Sequence, residues 1–244
     1  MKFLPAVFLA LCLLSTAPAQ SPPPAKPEPQ KGIHVRIVPT SLLPNAKFPD
    51  WAILDSNGEA VPLKISSWNI SAPILVPLAG QLQIFERASL AKALESKSAL
   101  PSPQFSVPLI PGSLRCLLVM RPGKSPTQPW DFQVYDESTQ SYPGGSRIFL
   151  NLTPYKLSGS CGQVPLDIPP QGAALIDPQV KTESFREVVR VFAQLPTRQA
   201  TVLDEQWAFF PNSRGIVLVF EAQGAVRLVG IPDEIPPEPT QQKL

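Results

Sequence analysis

The sequence predicts an all-β protein with the architecture of an immunoglobulin-like β-sandwich. Proline supplies 32 of the 244 residues, about 13 % against a usual 5 %, and the interior of a helix does not accept it. The apolar residues form short runs separated by Pro, Gly, Asn and Ser, a pattern typical of strands and turns. We expect at most one short helix, and either two small sandwiches or one distorted sandwich that ends in a meander.

Three segments show how the predicted strands differ in burial. Ile33 to Val38 alternates apolar and polar residues, which places His34 and Arg36 on the polar side of a half-exposed strand. Leu114 to Met120 and Ile216 to Phe220 are almost continuously apolar. Such runs are typical of central strands that are covered on both faces.

Three other segments predict local elements. Trp51 to Leu54 and Ala60 to Ile65 flank Asn57-Gly58, a pair that favours the left-handed backbone of a tight hairpin turn. Ser89 to Ser98 contains no proline and carries Leu and Ala at helical spacing, so we expect a short helix there. Ser184 to Phe192 has helical spacing too, but its valines favour a strand.

The tripeptide Val-Pro-Leu occurs four times. Because proline cannot donate to a strand ladder, these copies should lie at strand starts or on sheet edges, where they also block pairing between molecules. The copies at Val107 and Val164 each follow an Ile-Phe strand, which suggests two related sandwich units, although the high proline content explains such short matches equally well. The copies begin at Val61, Val76, Val107 and Val164.

The first nineteen residues have the pattern of a signal peptide. A positive start precedes an apolar run from Phe3 to Leu14, and Ala17-x-Ala19 fits a cleavage site. The apolar run is too short for the about 20 residues that span a membrane as a helix. We therefore expect export to the periplasm or the extracellular space, with a retained anchor or a lipoprotein on Cys12 as alternatives.

Composition divides the rest of the chain. Residues 20–31 are a proline-rich spacer, and residues 236–244 read as a flexible tail. We expect a β-sandwich unit over residues 32–122 and a second β unit, ending in the meander, over residues 123–235. The net charge is +2, and the charges are scattered, which excludes a basic footprint for nucleic acid.

Cys116 and Cys161 remain after removal of the predicted signal peptide. An even number of cysteines in an oxidising compartment predicts a disulfide, which would stabilise the fold by about 3–4 kcal/mol. The alternative is two unpaired thiols, because Cys116 lies inside an apolar run and fits an ordinary core position.

Catalytic and metal-binding patterns are scarce in the sequence. The chain has one histidine, His34, and it lacks the Gly-x-Ser-x-Gly elbow of many serine hydrolases. One histidine and two distant cysteines do not make a zinc site, and phosphate-binding glycine loops are missing. We therefore assign no catalytic, cofactor or metal residues. A carboxylate pair remains open as a hydrolytic centre, although Asp204-Glu205 and Asp233-Glu234 are adjacent pairs whose side chains should diverge in a strand.

Two further patterns bear on partners. Four tryptophans are present, and on a β scaffold they bind sugars or peptides less often than they fill cores. Asn69-Ile-Ser71 and Asn151-Leu-Thr153 match the N-glycosylation pattern, which matters only in a host that glycosylates.

The segment from Trp207 to Asp233, with Asn151-Leu-Thr-Pro-Tyr155, resembles uncharacterised secreted bacterial β-rich proteins. The resemblance covers about a fifth of the chain. It implies export and a β architecture, and it carries no activity, cofactor or catalytic residue with it.

These observations favour a non-catalytic exported module of the cell envelope that binds a protein or a polysaccharide or has a structural role. One alternative is a hydrolase that uses carboxylates alone. The other is a subunit of an envelope assembly that accepts a strand from a partner at an exposed sheet edge.

Overall fold

The structure is a computed structural model that describes residues 32–40, 48–67, 69–125, 128–179 and 183–235. The predicted signal peptide, the proline-rich spacer and the predicted tail lie outside these residues. The described part contains sixteen strands and one helix, so the prediction of an all-β fold with at most one short helix is confirmed.

The chain falls into two successive sets of eight strands. The first set is β1 (Ile33–Pro39), β2 (Trp51–Leu54), β3 (Ala60–Pro62), β4 (Ile74–Val76), β5 (Gln81–Glu86), β6 (Phe105–Pro108), β7 (Arg115–Ser125) and β8 (Gln128–Asp136), with helix α1 (Arg87–Glu95) between β5 and β6. The second set is β9 (Arg147–Asn151), β10 (Leu157–Cys161), β11 (Val164–Ile168), β12 (Ala173–Ile176), β13 (Phe185–Gln194), β14 (Gln199–Phe209), β15 (Ser213–Ala222) and β16 (Ala225–Glu234).

The second set of strands repeats the topology of the first. Sheet I has the order β4-β1-β7-β8 and sheet II the order β3-β2-β5-β6; adding eight to each number gives sheet III, β12-β9-β15-β16, and sheet IV, β11-β10-β13-β14. In both sets the first strand pairs in parallel with the seventh, and the other pairs are antiparallel. The repeat divides the chain between β8 and β9, whereas the division expected at residue 122 falls inside β7.

Three hydrophobic layers hold the four sheets in the order II–I–III–IV. One core fills the space between sheets I and II, and another fills the space between sheets III and IV. The third layer joins the two sandwiches, because the remaining face of sheet I packs on the remaining face of sheet III. Its members include Val38, Leu117 and Val119 from sheet I and Ile148, Leu150, Ile216 and Leu218 from sheet III.

Local signals in the sequence placed several elements correctly. The hairpin β2–β3 closes around Asp55, whose carboxylate accepts hydrogen bonds from the backbone N–H groups of Asn57 and Glu59 at 2.8 and 2.9 Å, and Gly58 has a φ of 80°. Helix α1 overlaps the segment predicted to be helical, Ser89 to Ser98, but it begins two residues earlier, at Arg87, and ends at Glu95. The ambiguous segment before Phe192 is strand β13, as its valines indicated.

All four Val-Pro-Leu copies lie at sheet edges. Pro62, Pro108 and Pro165 are in the edge strands β3, β6 and β11, and Pro77 follows the edge strand β4. The copies in β3 and β11 occupy equivalent strands of the repeat. The copies that the sequence paired, at Val107 and Val164, lie in β6 and β11, which are not equivalent.

The two cysteines are not bridged. Cys116 belongs to the core between sheets I and II, and Cys161 to the core between sheets III and IV. The predicted disulfide is therefore absent, because the central pair of sheets separates the thiols. Burial raises the pKa of both, that of Cys161 to about 11, so each behaves as a small apolar core residue.

Two other expectations need correction. Strand β1 is buried on both faces, because its second face packs against sheet III, so Arg36 is buried and not on a solvated side. The three strands expected as a meander are divided, because β14 lies in sheet IV, while β15 and β16 form a hairpin in sheet III.

Replacing Gly159 by alanine should destabilise the fold by about 3 kcal/mol. Gly159 has a φ of +153°, and an added Cβ would lie 1.9 Å from the carbonyl oxygen of Arg190 on the neighbouring strand. Gly230→Ala is the matched control, since Gly230 is also in a strand but has open space at its Cβ. Urea unfolding followed by tryptophan fluorescence measures both, and equal midpoints for the two variants would contradict the strand geometry around Gly159.

Candidate functional site

A cluster of four buried charges lies where the two sandwiches meet. It consists of two arginines, Arg36 and Arg214, and two carboxylates, Glu137 and Asp233, and no side chain of the four is more than 9 % exposed. Two positive and two negative groups give the cluster no net charge. Burial of such groups is tolerated only when each is paired and hydrogen-bonded.

Strands from both halves bring the four side chains together. Arg214 and Asp233 face each other across the β15–β16 ladder of the second half. Glu137 follows β8 of the first half, and its backbone N–H donates to the carbonyl of Arg115 at 2.9 Å. The repeat makes Arg115 the counterpart of Arg214, and Glu137 the counterpart of Asp233, because each arginine lies opposite its acid across the hairpin of the seventh and eighth strands.

Arg36 connects the two carboxylates. Its Nη1 donates to Asp233 Oδ1 at 2.8 Å and its Nη2 to Asp233 Oδ2 at 2.9 Å, a bidentate pair. Its Nε donates to Glu137 Oε1 at 2.9 Å, and its Nη2 also bonds Glu137 Oε1. Burial alone would lower the pKa of Arg36, but the hydrogen bonds to Asp233 and Glu137 outweigh it and raise the pKa.

Arg214 completes the cluster from the other half. Its Nε donates to Asp233 Oδ2 at 3.0 Å, and its Nη1 donates to the carbonyls of Tyr142 and Glu137 at 3.0 and 3.2 Å. The guanidinium lies over the Tyr142 ring, 4.2 Å from its centre. The Tyr142 hydroxyl donates to the carbonyl of Gly215 at 2.8 Å, so the ring is fixed as well.

The cluster is suited to orientation and not to catalysis. A catalytic carboxylate needs access to substrate and a proton to give or accept. Both carboxylates here are bound by arginines and excluded from solvent. Removal of one partner from such a cluster leaves an uncompensated buried charge, so the cluster fixes how sheets I and III meet.

A weak signal for this cluster is present in the sequence. An arginine, Arg115 or Arg214, lies within the first two residues of each apolar central strand, and acids lie at the end of each hairpin partner. Arg36 was expected on a solvated face, and the error arose because the stacking of two sandwiches is a long-range feature. Asp233 and Glu234 diverge as predicted, one buried and one exposed, while Asp204 is exposed and paired with Arg190 at 3.2 Å.

The described ranges contain no group of three or more His, Cys, Asp or Glu side chains that could hold a metal ion. Among the same residues, no helix is long and apolar enough to cross a membrane. His34 is half-buried at the edge of the charge cluster. Burial, and then the charge of Arg115, lowers its pKa.

The tryptophans of the described residues face the cores. Trp51 is 2 % exposed, and its indole N–H donates to Gln104 Oε1 at 2.7 Å. Trp130 packs edge-on against Trp51 with ring centres 6.4 Å apart, and Trp207 stacks on Phe149 at 6.1 Å. Trp68 lies outside the described residues. These three rings therefore fill the cores, as the sequence favoured, and do not form a platform for sugars.

A cleft of about 360 Å³ opens on the outer face of sheet II. Its apolar surface includes Leu54, Pro77 and Ala79. Phe85 lies beneath that surface and belongs, with Leu54, to the small core beneath helix α1. Gln81 and Gln83 project from the same face of β5 and are exposed. The lining residues include no charged side chain, so the cleft combines an apolar surface with two amide groups.

A second hollow of about 200 Å³ lies beside the cleft. The two share Ala79 and Gly80, which form the wall between them. Leu78 and Leu114 line the second hollow and are 65 % and 37 % exposed. This end of the first sandwich therefore carries exposed apolar side chains at both hollows, and no specific pattern in the sequence predicted them.

The sheet edges are protected against strand addition. Of the eight edge strands in the described part of the chain, β3, β6, β8, β11 and β16 contain proline, and β4 and β12 have only three or four residues. The long edge strand β14 lacks proline but carries two adjacent exposed acids, Asp204 and Glu205. Charged side chains on an edge strand discourage edge pairing.

No model of a protein family matches the chain, and no curated protein matches it at a significant level. Its function therefore has to follow from the geometry of the charge cluster, the cleft and the sheet edges.

Replacing Arg36 by methionine should lower the free energy of unfolding by about 3 kcal/mol, because Glu137 and Asp233 would share one arginine in a buried site. Arg190→Met is the control, since the Arg190–Asp204 pair is exposed and contributes less than about 1 kcal/mol. Urea titrations of both variants give the comparison. A loss for Arg36→Met no larger than that of the control would show that the cluster does not hold the halves together.

Stability should fall as the pH decreases through 6.5, and His34→Gln should remove that fall. The pKa of His34 in the fold lies below its ordinary value of 6.5, so the unfolded chain takes up the proton first and gains stability relative to the fold. The loss is complete below the folded pKa. Urea midpoints between pH 8 and pH 5 test this directly, because the chain has one histidine; an unchanged pH dependence in the variant would contradict it.

Proposed function

We propose that this chain is a non-catalytic binding module exported to the cell envelope, and that the cleft on sheet II binds an uncharged, extended peptide segment of a partner protein. The export half of the proposal is supported by the signal-peptide pattern before Gln20. The binding half is supported by the cleft lined by Leu54, Phe85, Gln81 and Gln83.

The chemistry of the cleft favours a peptide. Each glutamine amide offers both donors and an acceptor, which match the alternating carbonyl and N–H groups of an extended backbone. Gln81 and Gln83 lie two residues apart on one face of a strand, a spacing that suits every second peptide group of an extended ligand. Apolar side chains of the ligand would cover Leu54 and the neighbouring hollow beside Leu78.

The alternatives find less support. Polysaccharide sites commonly present an aromatic face, and the only aromatic ring among the cleft residues, Phe85, is 1 % exposed. A carboxylate hydrolase would need two accessible acids, and Glu137 and Asp233 are buried in ion pairs. Strand addition would have to use β14 against its exposed acids, Asp204 and Glu205.

The test begins with peptides selected from a random display library on the full mature chain. We expect selection of uncharged sequences that bind at micromolar affinity, and at least tenfold weaker binding to Gln83→Lys, because a lysine would place a charge over the apolar surface. Gln206→Lys is the matched control, since Gln206 is an exposed glutamine on the edge strand β14. Isothermal calorimetry of each selected peptide with the three proteins gives the affinities.

Peptides that bind Gln83→Lys as tightly as the wild type would refute the cleft as the site, and a library without any binder would refute peptide recognition. Export is tested separately by mass spectrometry of the N-terminus in envelope and culture fractions of the native host. We expect a chain that begins near Gln20; an intact N-terminus on a cytoplasmic product would overturn that half of the proposal.

A further inference from the structure

The two N-glycosylation motifs of the chain occupy opposite environments. The full sequence contains Asn-x-Ser/Thr at Asn69 and Asn151. Asn69 is exposed in the long connection between β3 and β4, whereas Asn151, the last residue of β9, is fully buried. A surface loop is the setting in which such a motif accepts a glycan, so the fold distinguishes two motifs that the sequence leaves equivalent.

Every hydrogen-bonding group of the Asn151 side chain is engaged within the protein. Its Nδ2 donates to the carbonyl of Tyr155 at 2.7 Å and to the carbonyl of Pro169 at 2.9 Å. Its Oδ1 accepts the backbone N–H of Thr153 at 3.0 Å and the Thr153 hydroxyl at 2.7 Å. Asn151 thus ties the end of β9 to the turn before β12, and the hydroxyl that defines its motif is part of the same network.

Asn69 has no comparable constraint. Its Nδ2 makes two long contacts of 3.3 Å, to the Ser66 hydroxyl and the Ser67 carbonyl, both on the surface. Ser71, the third residue of the motif, is half-buried: its hydroxyl accepts the N–H of Ile37 at 2.9 Å and donates to the carbonyl of Ala72 at 3.1 Å. A transferase that reads this hydroxyl has to release one hydrogen bond to β1, while the Asn69 amide itself is open to solvent.

We propose that Asn69 is the site at which the folded chain accepts an N-linked glycan, and that Asn151 is a structural asparagine that excludes one. The donor is an oligosaccharyl diphosphate lipid. The Asn69 Nδ2 attacks the anomeric carbon, a C–N bond forms, the C–O bond to the diphosphate breaks, and the amide loses one proton as the lipid diphosphate leaves. A glycan attached to Asn151 before folding would remove a donor from the network and place a large polar group in a closed site, so that chain would not reach the native state.

The experiment uses the full mature chain purified from a bacterial host that does not glycosylate. The folded protein is incubated with a purified oligosaccharyltransferase and a lipid-linked oligosaccharide, beside two synthetic peptides that span residues 64–74 and 147–157. Glycopeptide mass spectrometry gives the occupancy of each site over time. We expect the folded chain to be modified at Asn69, more slowly than the first peptide because of the Ser71 bond, and Asn151 to react about 100-fold more slowly than the second peptide.

Asn69→Gln should abolish modification of the folded chain without changing its urea midpoint, because the Asn69 contacts are exposed. Urea-midpoint measurements of Asn151→Gln should show a loss of stability, which separates its structural role from that of Asn69. Modification of Asn151 in the folded protein at the peptide rate would overturn the proposal. An unmodified Asn69 in the folded protein, when its peptide reacts fully, would overturn it as well.

Discussion

The buried cluster of two arginines and two carboxylates is the constraint on which the arrangement of the four sheets depends. Apolar contacts between sheets I and III are non-directional and would tolerate sliding. Arg36, by contrast, binds Asp233 through two parallel hydrogen bonds and Glu137 through its Nε, and planar bidentate pairs specify geometry as well as energy. Because the cluster joins residues about 100 to 200 positions apart in the chain, it forms only when both sandwiches are folded and in register.

The two halves of the repeat differ in the connection between the fifth and sixth strands of each set. In the second half a tight connection from Leu195 to Arg198 joins β13 to β14, and the outer face of sheet IV remains open. In the first half the equivalent connection contains helix α1, which buries Leu90 against Phe85. The helix covers one part of the outer face of sheet II. The cleft is lined by other elements, Leu54, β5 and the connection between β4 and β5, and by no residue of α1. A duplicated scaffold thus supplies rigidity, and the connection between β4 and β5 borders a concave surface, the form that ligand sites usually take.

Local chemistry allowed much of the fold to be predicted. The turn at Asn57-Gly58, the proline-free stretch of α1 and the valines of β13 each act within a few residues, so pattern alone identified them. The disulfide between Cys116 and Cys161 was wrong, and Arg36 was misplaced, for a shared reason. Both depend on which faces of distant strands pack together. A single sequence shows which residues of a strand are apolar, but it does not show which strands lie against them. The cleft was missed because a strand glutamine such as Gln83 is an ordinary solvated residue until the connection between β4 and β5 folds beside it.

The proline content, which first indicated a β fold, also bears on how the protein meets partners. Four open sheets present eight edges in the described part of the chain, and each unprotected edge is a template for aggregation. Proline in five edge strands removes backbone hydrogen-bond donors. Two further edge strands are too short to pair with many residues of another chain, and the last, β14, carries the exposed acids Asp204 and Glu205. A protein that protects its edges so consistently would lose that protection if it bound partners by strand addition. Recognition through side chains in the cleft, such as Gln81 and Gln83, leaves the protected edges unused. We therefore propose that the cleft binds the partner and that the edge prolines prevent aggregation.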